Sequence, residues 1–123
     1  MKKPPLVCVV DDDESVRESL PDLLKEFGFA VEAFSSAEDF LTSEAVSKAD
    51  CLILDIAMPR MSGPDLQREL RRRGRNTPIV FITAHSEASI RPRTLRQGAV
   101  ACLFKPFSQS ALLDALSAAL PAG

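Results

Sequence analysis

Five short apolar runs divide the chain, and the stretches after them carry apolar residues at helical spacing. Leu6-Val7-Cys8-Val9-Val10 is continuous and rich in β-branched side chains, which suits a strand covered on both faces of a parallel sheet. From Ser15 to Phe27 the apolar positions Val16, Leu20, Leu23, Leu24 and Phe27 trace one helical stripe. Pro21 lies inside that stretch, where it removes a backbone donor and favours a kink, and Gly28 ends it. Ala30 to Phe34 alternates around Glu32 as a second strand. Ser35-Ser36-Ala37-Glu38 reads as a capping box opening a short helix with Phe40 and Leu41 inward. Cys51-Leu52-Ile53-Leu54 is a third buried strand, ending at Asp55.

Ser62-Gly63-Pro64 then marks a helix start. That helix carries Leu66 and Leu70 at i, i+4 and closes with Arg71-Arg72-Arg73 before Gly74. Ile79 to Ile82 is the fourth strand, ending at Thr83, and Ala99 to Phe104 is the fifth. Ser108 caps a last helix with Leu112, Leu113, Leu116 and Leu120 on its apolar side. Strand followed by helix, five times over, predicts an α/β doubly wound parallel sheet with right-handed crossovers. No internal repeat, low-complexity tract or interior linker interrupts the pattern.

Composition narrows the class. The 123 residues suit one domain with one real core. A net charge of −2 argues against a cationic nucleic-acid binder. The longest apolar run, Ala99 to Phe104, falls far short of the ~20 residues a membrane-spanning helix needs. Met1-Lys2-Lys3 mimics the start of a signal peptide, but the apolar run after it is short and ends in Asp11-Asp12-Asp13-Glu14. Cys8, Cys51 and Cys102 show neither disulfide nor zinc spacing. They read as reduced core residues, which fits a cytoplasmic protein.

In an open α/β sheet, ligands bind outside the carboxyl ends of the strands. After the first strand come Asp11, Asp12 and Asp13; after the third, Asp55; after the fourth, Thr83 and Ala84; after the fifth, Lys105 and Pro106. Carboxylates gathered at one edge repel unless a cation joins them, and hard oxygen ligands suit Mg²⁺. Such an ion is the usual partner of phosphoryl chemistry, and a carboxylate can itself become an aspartyl phosphate. A lysine and a threonine hydroxyl can then bind the new phosphoryl oxygens. Neither GxGxxG nor GxxxxGK[ST] is present, so a nucleotide-binding loop lacks support.

Four segments at these strand ends resemble the receiver domain of bacterial response regulators, the CheY-like fold. They are Val9-Val10-Asp11-Asp12-Asp13, Leu54-Asp55 through Met58-Pro59-Arg60-Met61-Ser62-Gly63, Ile82-Thr83-Ala84 and Lys105-Pro106-Phe107. The stretches Ser36 to Leu41 and Pro78 to His85 look most like the FixJ-like subgroup. The resemblance covers the whole chain and implies a single receiver domain over 1–123, alone or as the N-terminal part of a longer regulator. It implies a sheet of order 2-1-3-4-5.

The resemblance also implies roles. Asp55 would accept a phosphoryl group from a sensor histidine kinase. Asp12, Asp55 and the Ala57 carbonyl would bind Mg²⁺ directly, and Asp11 mainly through a bound water. Thr83 and Lys105 would contact the phosphoryl group, aided by the backbone N–H groups of Ala57 and Ala84. The Lys105–Pro106 bond would be cis. The phosphorylated state would be relayed through helix four, strand five and helix five, with a phosphorylation-dependent homodimer as a further partner. DNA would be reached only through an output domain not present here, in keeping with transcriptional regulation.

Plainer readings apply to several residues. Asp13 and Glu14 read as helix-start charge, His85 as an exposed rim residue, and Arg71 to Arg73 with Arg75 as a solvated helix end. Two departures from the family fall on the output side. Cys102 stands where the family has an inward-turning aromatic ring that follows the threonine, so the Thr83–Cys102 switch lacks its ring. Pro92 falls within expected helix four, which is then expected to start at Pro92 as its first residue and run only to Gln97. A haloacid-dehalogenase-like phosphatase, using Asp11-x-Asp13, leaves Asp55 to Gly63 unexplained. An interaction module that never uses phosphorylation leaves Asp12, Asp55, Thr83 and Lys105 unexplained.

Overall fold

The computed structural model describes residues 3–85 and 87–120. Met1 and Lys2 of the signal-like start, Ser86 of the expected switch loop and the last three positions of the 1–123 domain lie outside them. The elements alternate as expected: β1 Leu6–Val10, α1 Glu14–Glu26, β2 Ala30–Phe34, α2 Ala37–Leu41, β3 Cys51–Asp55, α3 Gly63–Arg72, β4 Ile79–Thr83, α4 Ile90–Arg96, β5 Ala101–Phe104 and α5 Gln109–Ala119. A short 3₁₀ helix, Glu44–Ser47, leads from α2 into β3. The strands form one parallel sheet in the order β2-β1-β3-β4-β5.

The continuous apolar runs sit where the pattern requires. β3 and β4 are buried along their whole length, and β1 from Val7 onward, while edge strand β2 exposes Glu32 and Ala33. Alternate strand residues feed two cores. Cys8, Val10, Leu52, Leu54 and Phe81 pack with Phe40 of α2, Leu66 and Leu70 of α3 and Ile90 of α4. Val7, Val9, Ile53, Val80 and Ile82 pack with Leu20 and Leu24 of α1 and Leu112 and Leu116 of α5. Each such side chain contributes about 1.5–3 kcal/mol when removed from water. Cys8 and Cys51 belong to opposite cores, and burial pushes both thiols up to about 12, so they behave as inert core residues.

Three local expectations are corrected. The first concerns α2, which is capped by Ser36, not Ser35: the Ser36 hydroxyl accepts from Asp39 N–H at 3.1 Å, and the Ser35 hydroxyl donates to the Asp39 carboxylate. Glu38 is thereby freed to face Arg60 at 3.4 Å. In α1 the expectation holds: the helix passes through Pro21 to Glu26, and the Arg17 carbonyl loses its helical donor. The second correction is that α4 begins at Ile90, so Pro92 is its third residue. The first-turn N–H groups of a helix have no intrahelical partner, and proline there forfeits nothing. The third is that β5 begins at Ala101, not Ala99; Ala99 and Val100 precede it, tied back to Thr94 and Ile79.

Candidate functional site

The parallel register brings the strand ends together. Val10 lies beside Leu54, so Asp11 and Asp55 emerge as neighbours from β1 and β3. Asp55 pairs with Ile82, placing Thr83 one step beyond, and Thr83 in turn pairs with Phe104, next to Lys105. The Lys105 N–H donates to the Thr83 carbonyl at 2.8 Å. The Lys105–Pro106 peptide is cis. Behind the site α3 starts from a full capping box, in which Ser62 and Asp65 each accept the other's backbone N–H.

Acidic oxygens from Asp11, Asp12 and Asp55 lie within 4.8 Å of one another. Asp11 is completely buried; its Oδ1 accepts from Asp13 N–H at 2.9 Å and its Oδ2 from Lys105 Nζ at 2.8 Å. Asp12 is exposed. Asp55 is buried, with Oδ1 3.9 Å from Lys105 Nζ. Burial, then the Asp11 charge, raise the Asp55 carboxyl to about 7 against the pull of Lys105. The nearby Ala57 backbone N–H also pulls that carboxyl down. The Lys105 ammonium is also held above its ordinary range: burial alone would lower it, but the hydrogen bond and charge of Asp11, with Asp55 beyond, outweigh burial.

Thr83 is completely buried, and its hydroxyl accepts from His85 N–H at 3.0 Å. Ala57, Ala84 and His85 are exposed around the mouth. Asp13 stands apart as the N-cap of α1, accepting from the Ser15 N–H and hydroxyl, which lower its carboxyl. Cys102 is buried in β5 and does not touch the acidic group. Two contacts escaped sequence reading: the packing of Gly63, read there only as part of a helix start and of the family motif, and the reach of Arg91. Gly63, the first residue of α3, sits so close to β3 that a Cβ would collide with the Asp55 carbonyl oxygen and lie 2.9 Å from the Phe81 ring. Arg91 lies across β5, 11 residues away in sequence, and no local pattern announces it.

This donor set can hold a divalent cation. Three clustered carboxylate oxygens with one ammonium leave excess negative charge, and Asp11 and Asp12 add to the burial that raises the Asp55 carboxyl. A buried carboxylate beside an ammonium can also act as a nucleophile whose product is stabilised in place.

The family described as response regulator receiver domain matches residues 7–117. The response regulator protein TodT of Pseudomonas putida is 43% identical over 115 residues, covering 94% of this chain and 51% of TodT. The transcriptional regulatory protein FixJ of Azorhizobium caulinodans is 37% identical over 114 residues, covering 93% of this chain and 54% of FixJ. The solved response regulator StyR is 47% identical with a TM-score of 0.87, over 95% of this chain and 59% of that one. FixJ-N is 35% identical with a TM-score of 0.84 over 100% of both chains. The chain belongs to the receiver domain family of two-component response regulators, with the CheY-like fold of its FixJ-type members. It spans about half the length of the curated relatives it matches. Among the described residues no helix is long and apolar enough to cross a membrane.

Proposed function

We propose that residues 1–123 are one receiver domain that accepts a phosphoryl group on Asp55 from a sensor histidine kinase in the cytoplasm. The observation that carries this is the convergence of Asp11, Asp12, Asp55, Thr83 and Lys105 on one sheet edge, with Asp55 as the carboxylate facing both Lys105 and the Ala57 N–H. An Asp55 carboxylate oxygen attacks the phosphorus. A new O–P bond forms as the N–P bond of the donor phosphohistidine breaks, and that electron pair returns to the imidazole nitrogen. Lys105 neutralises charge on the transferred group, and the Thr83 hydroxyl with the Ala57 and Ala84 N–H groups donates to its oxygens.

Asp12, Asp55 and the Ala57 carbonyl would hold Mg²⁺, with Asp11 behind. When bound, the ion supplies charge neutralisation for the entering phosphoryl oxygens. Asp11 holds Lys105 in reach through its 2.8 Å bond. The chain is a signalling phosphoacceptor that assists its own chemistry, and we place its output on α4, β5 and α5, including a phosphorylation-dependent homodimer. FixJ and TdiR are named as transcriptional regulators, and we carry that role over to a longer protein in which a separate domain contacts DNA.

The test is labelling with a small-molecule phosphodonor followed by mass spectrometry. Wild type should gain one phosphoryl group on Asp55, and Asp55→Asn should gain none. Full labelling of that variant elsewhere would overturn the assignment.

A further inference from the structure

We propose that Arg91 is the positioning residue that couples the phosphoacceptor site to α4, in the place where an aromatic ring at position 102 is missing. The inference rests on the phosphoacceptor reading above and names how that site reports its state. Arg91, in the first turn of α4, donates from Nε to the Cys102 carbonyl at 3.0 Å. Its guanidinium carbon lies 4.6 Å from the centre of the Phe104 ring, within the range of a cation–π contact. The Thr94 hydroxyl donates to the Arg91 carbonyl at 3.0 Å and fixes that turn.

Both contacts of Arg91 fall on the three residues that lead into Lys105. Cys102 and Phe104, two apart, face the same core, on the α4 side of the sheet. Phe104 pairs with Thr83 and directly precedes the lysine bonded to Asp11. A connected path results: Arg91, β5 with Phe104 beside Thr83, Lys105, and on to Asp11 and Asp55.

Phosphorylation adds about −1.5 to −2 charges beside Lys105. The ammonium, now bonded to Asp11 and 3.9 Å from Asp55, shifts toward the new group and draws on the residue before it. That residue is Phe104, the ring under Arg91. An exposed side chain held by one hydrogen bond and one ring has two weak contacts to exchange, which suits an element with two accessible positions. Cys102 offers Arg91 only its carbonyl, since its side chain is buried.

The experiment is NMR on the chain with Mg²⁺ and the phosphate mimic beryllofluoride, using the fluorine signal to establish occupancy. In wild type, occupancy should shift the Arg91 Nε–H resonance and slow amide exchange from Ile90 to Arg96. In Arg91→Ala the mimic should still bind while the ratio of free to bound exchange rates falls to unity. Arg91→Lys, which keeps a cation over Phe104 but lacks Nε, should restore part of the ratio. Phe104→Leu should also lower it, and stands in if Arg91→Ala does not fold. A wild-type ratio in Arg91→Ala, even with both rates raised, would make Arg91 merely structural and overturn the proposal. Absence of a bound fluorine signal in wild type would instead sink the phosphoacceptor reading, and the coupling with it.

Discussion

At the end of β3 one carboxyl sits in the interior with two others facing it. Its titration links the site to the stability of the chain. Asp55 is raised from the ordinary 3.8 to about 7, first by burial and then by Asp11. The folded chain therefore holds this proton over a pH range in which the unfolded chain has released it. Below about pH 4 both forms are protonated, and the group has no effect on folding. As pH rises from there through about 7, folding becomes steadily less favourable, and above 7 the loss is complete. Asparagine cannot ionise, so Asp55→Asn should melt well above wild type at pH 8 in chelator and close to it at pH 4. Equal differences at both values would show that repulsion at Asp55 is not what limits stability. The acidic cluster itself was legible in the sequence, because strand ends follow from the apolar runs and chemistry collects there. The division of labour within it was not: that Asp11, not Asp55, holds Lys105 at 2.8 Å depends on side-chain reach across 94 residues.

Elements were legible in type and less so in their first residues. Apolar runs fix a strand because every residue of a doubly covered strand must be apolar, and β1, β3 and β4 follow that rule. Helix starts depend on which of two adjacent hydroxyls finds an N–H three residues on, and Ser35-Ser36 offers both with an acid at each spacing. Pro92 is equally uninformative, since any first-turn position tolerates a missing donor. The α3 start shows the opposite case, in which one residue is forced. Gly63 donates to the Ile56 carbonyl at 2.9 Å while its hydrogen faces the Asp55 carbonyl and the Phe81 ring. Gly63→Ala must push α3 off β3 or move the backbone under Asp55. Overpacking of this kind costs about 1–3 kcal/mol. The expected result is a lower denaturant midpoint together with slower Asp55 labelling, whereas Gly74→Ala, with nothing within 4 Å of the new Cβ, should leave labelling rate unchanged.

On the scale of the whole molecule, two apolar cores carry the stability and one sheet edge opposes it. Leu20, Leu24, Leu112 and Leu116 lie under one face, and Phe40, Leu66, Leu70 and Phe81 under the other. The ends of β1 and β3 gather buried and half-buried negative charge, and Lys105 is the one ammonium that reaches them among the described residues. A cation bound there binds the folded chain alone, because the unfolded chain does not hold Asp12 and Asp55 side by side. Stability then rises with its concentration by mass action, about 1.4 kcal/mol at ten times the dissociation constant. For a domain of this size that is an increase of roughly 3–6 °C in Tm. Asp12 is exposed and makes no contact that holds the fold, so Asp12→Ala removes a ligand without opening a cavity. Calorimetry with increasing MgCl₂, at constant ionic strength set by KCl, should show a saturating rise in wild type and a flat response in Asp12→Ala. An equal rise in both would mean that the ion acts on the surface charge of the molecule at large and not at the strand ends.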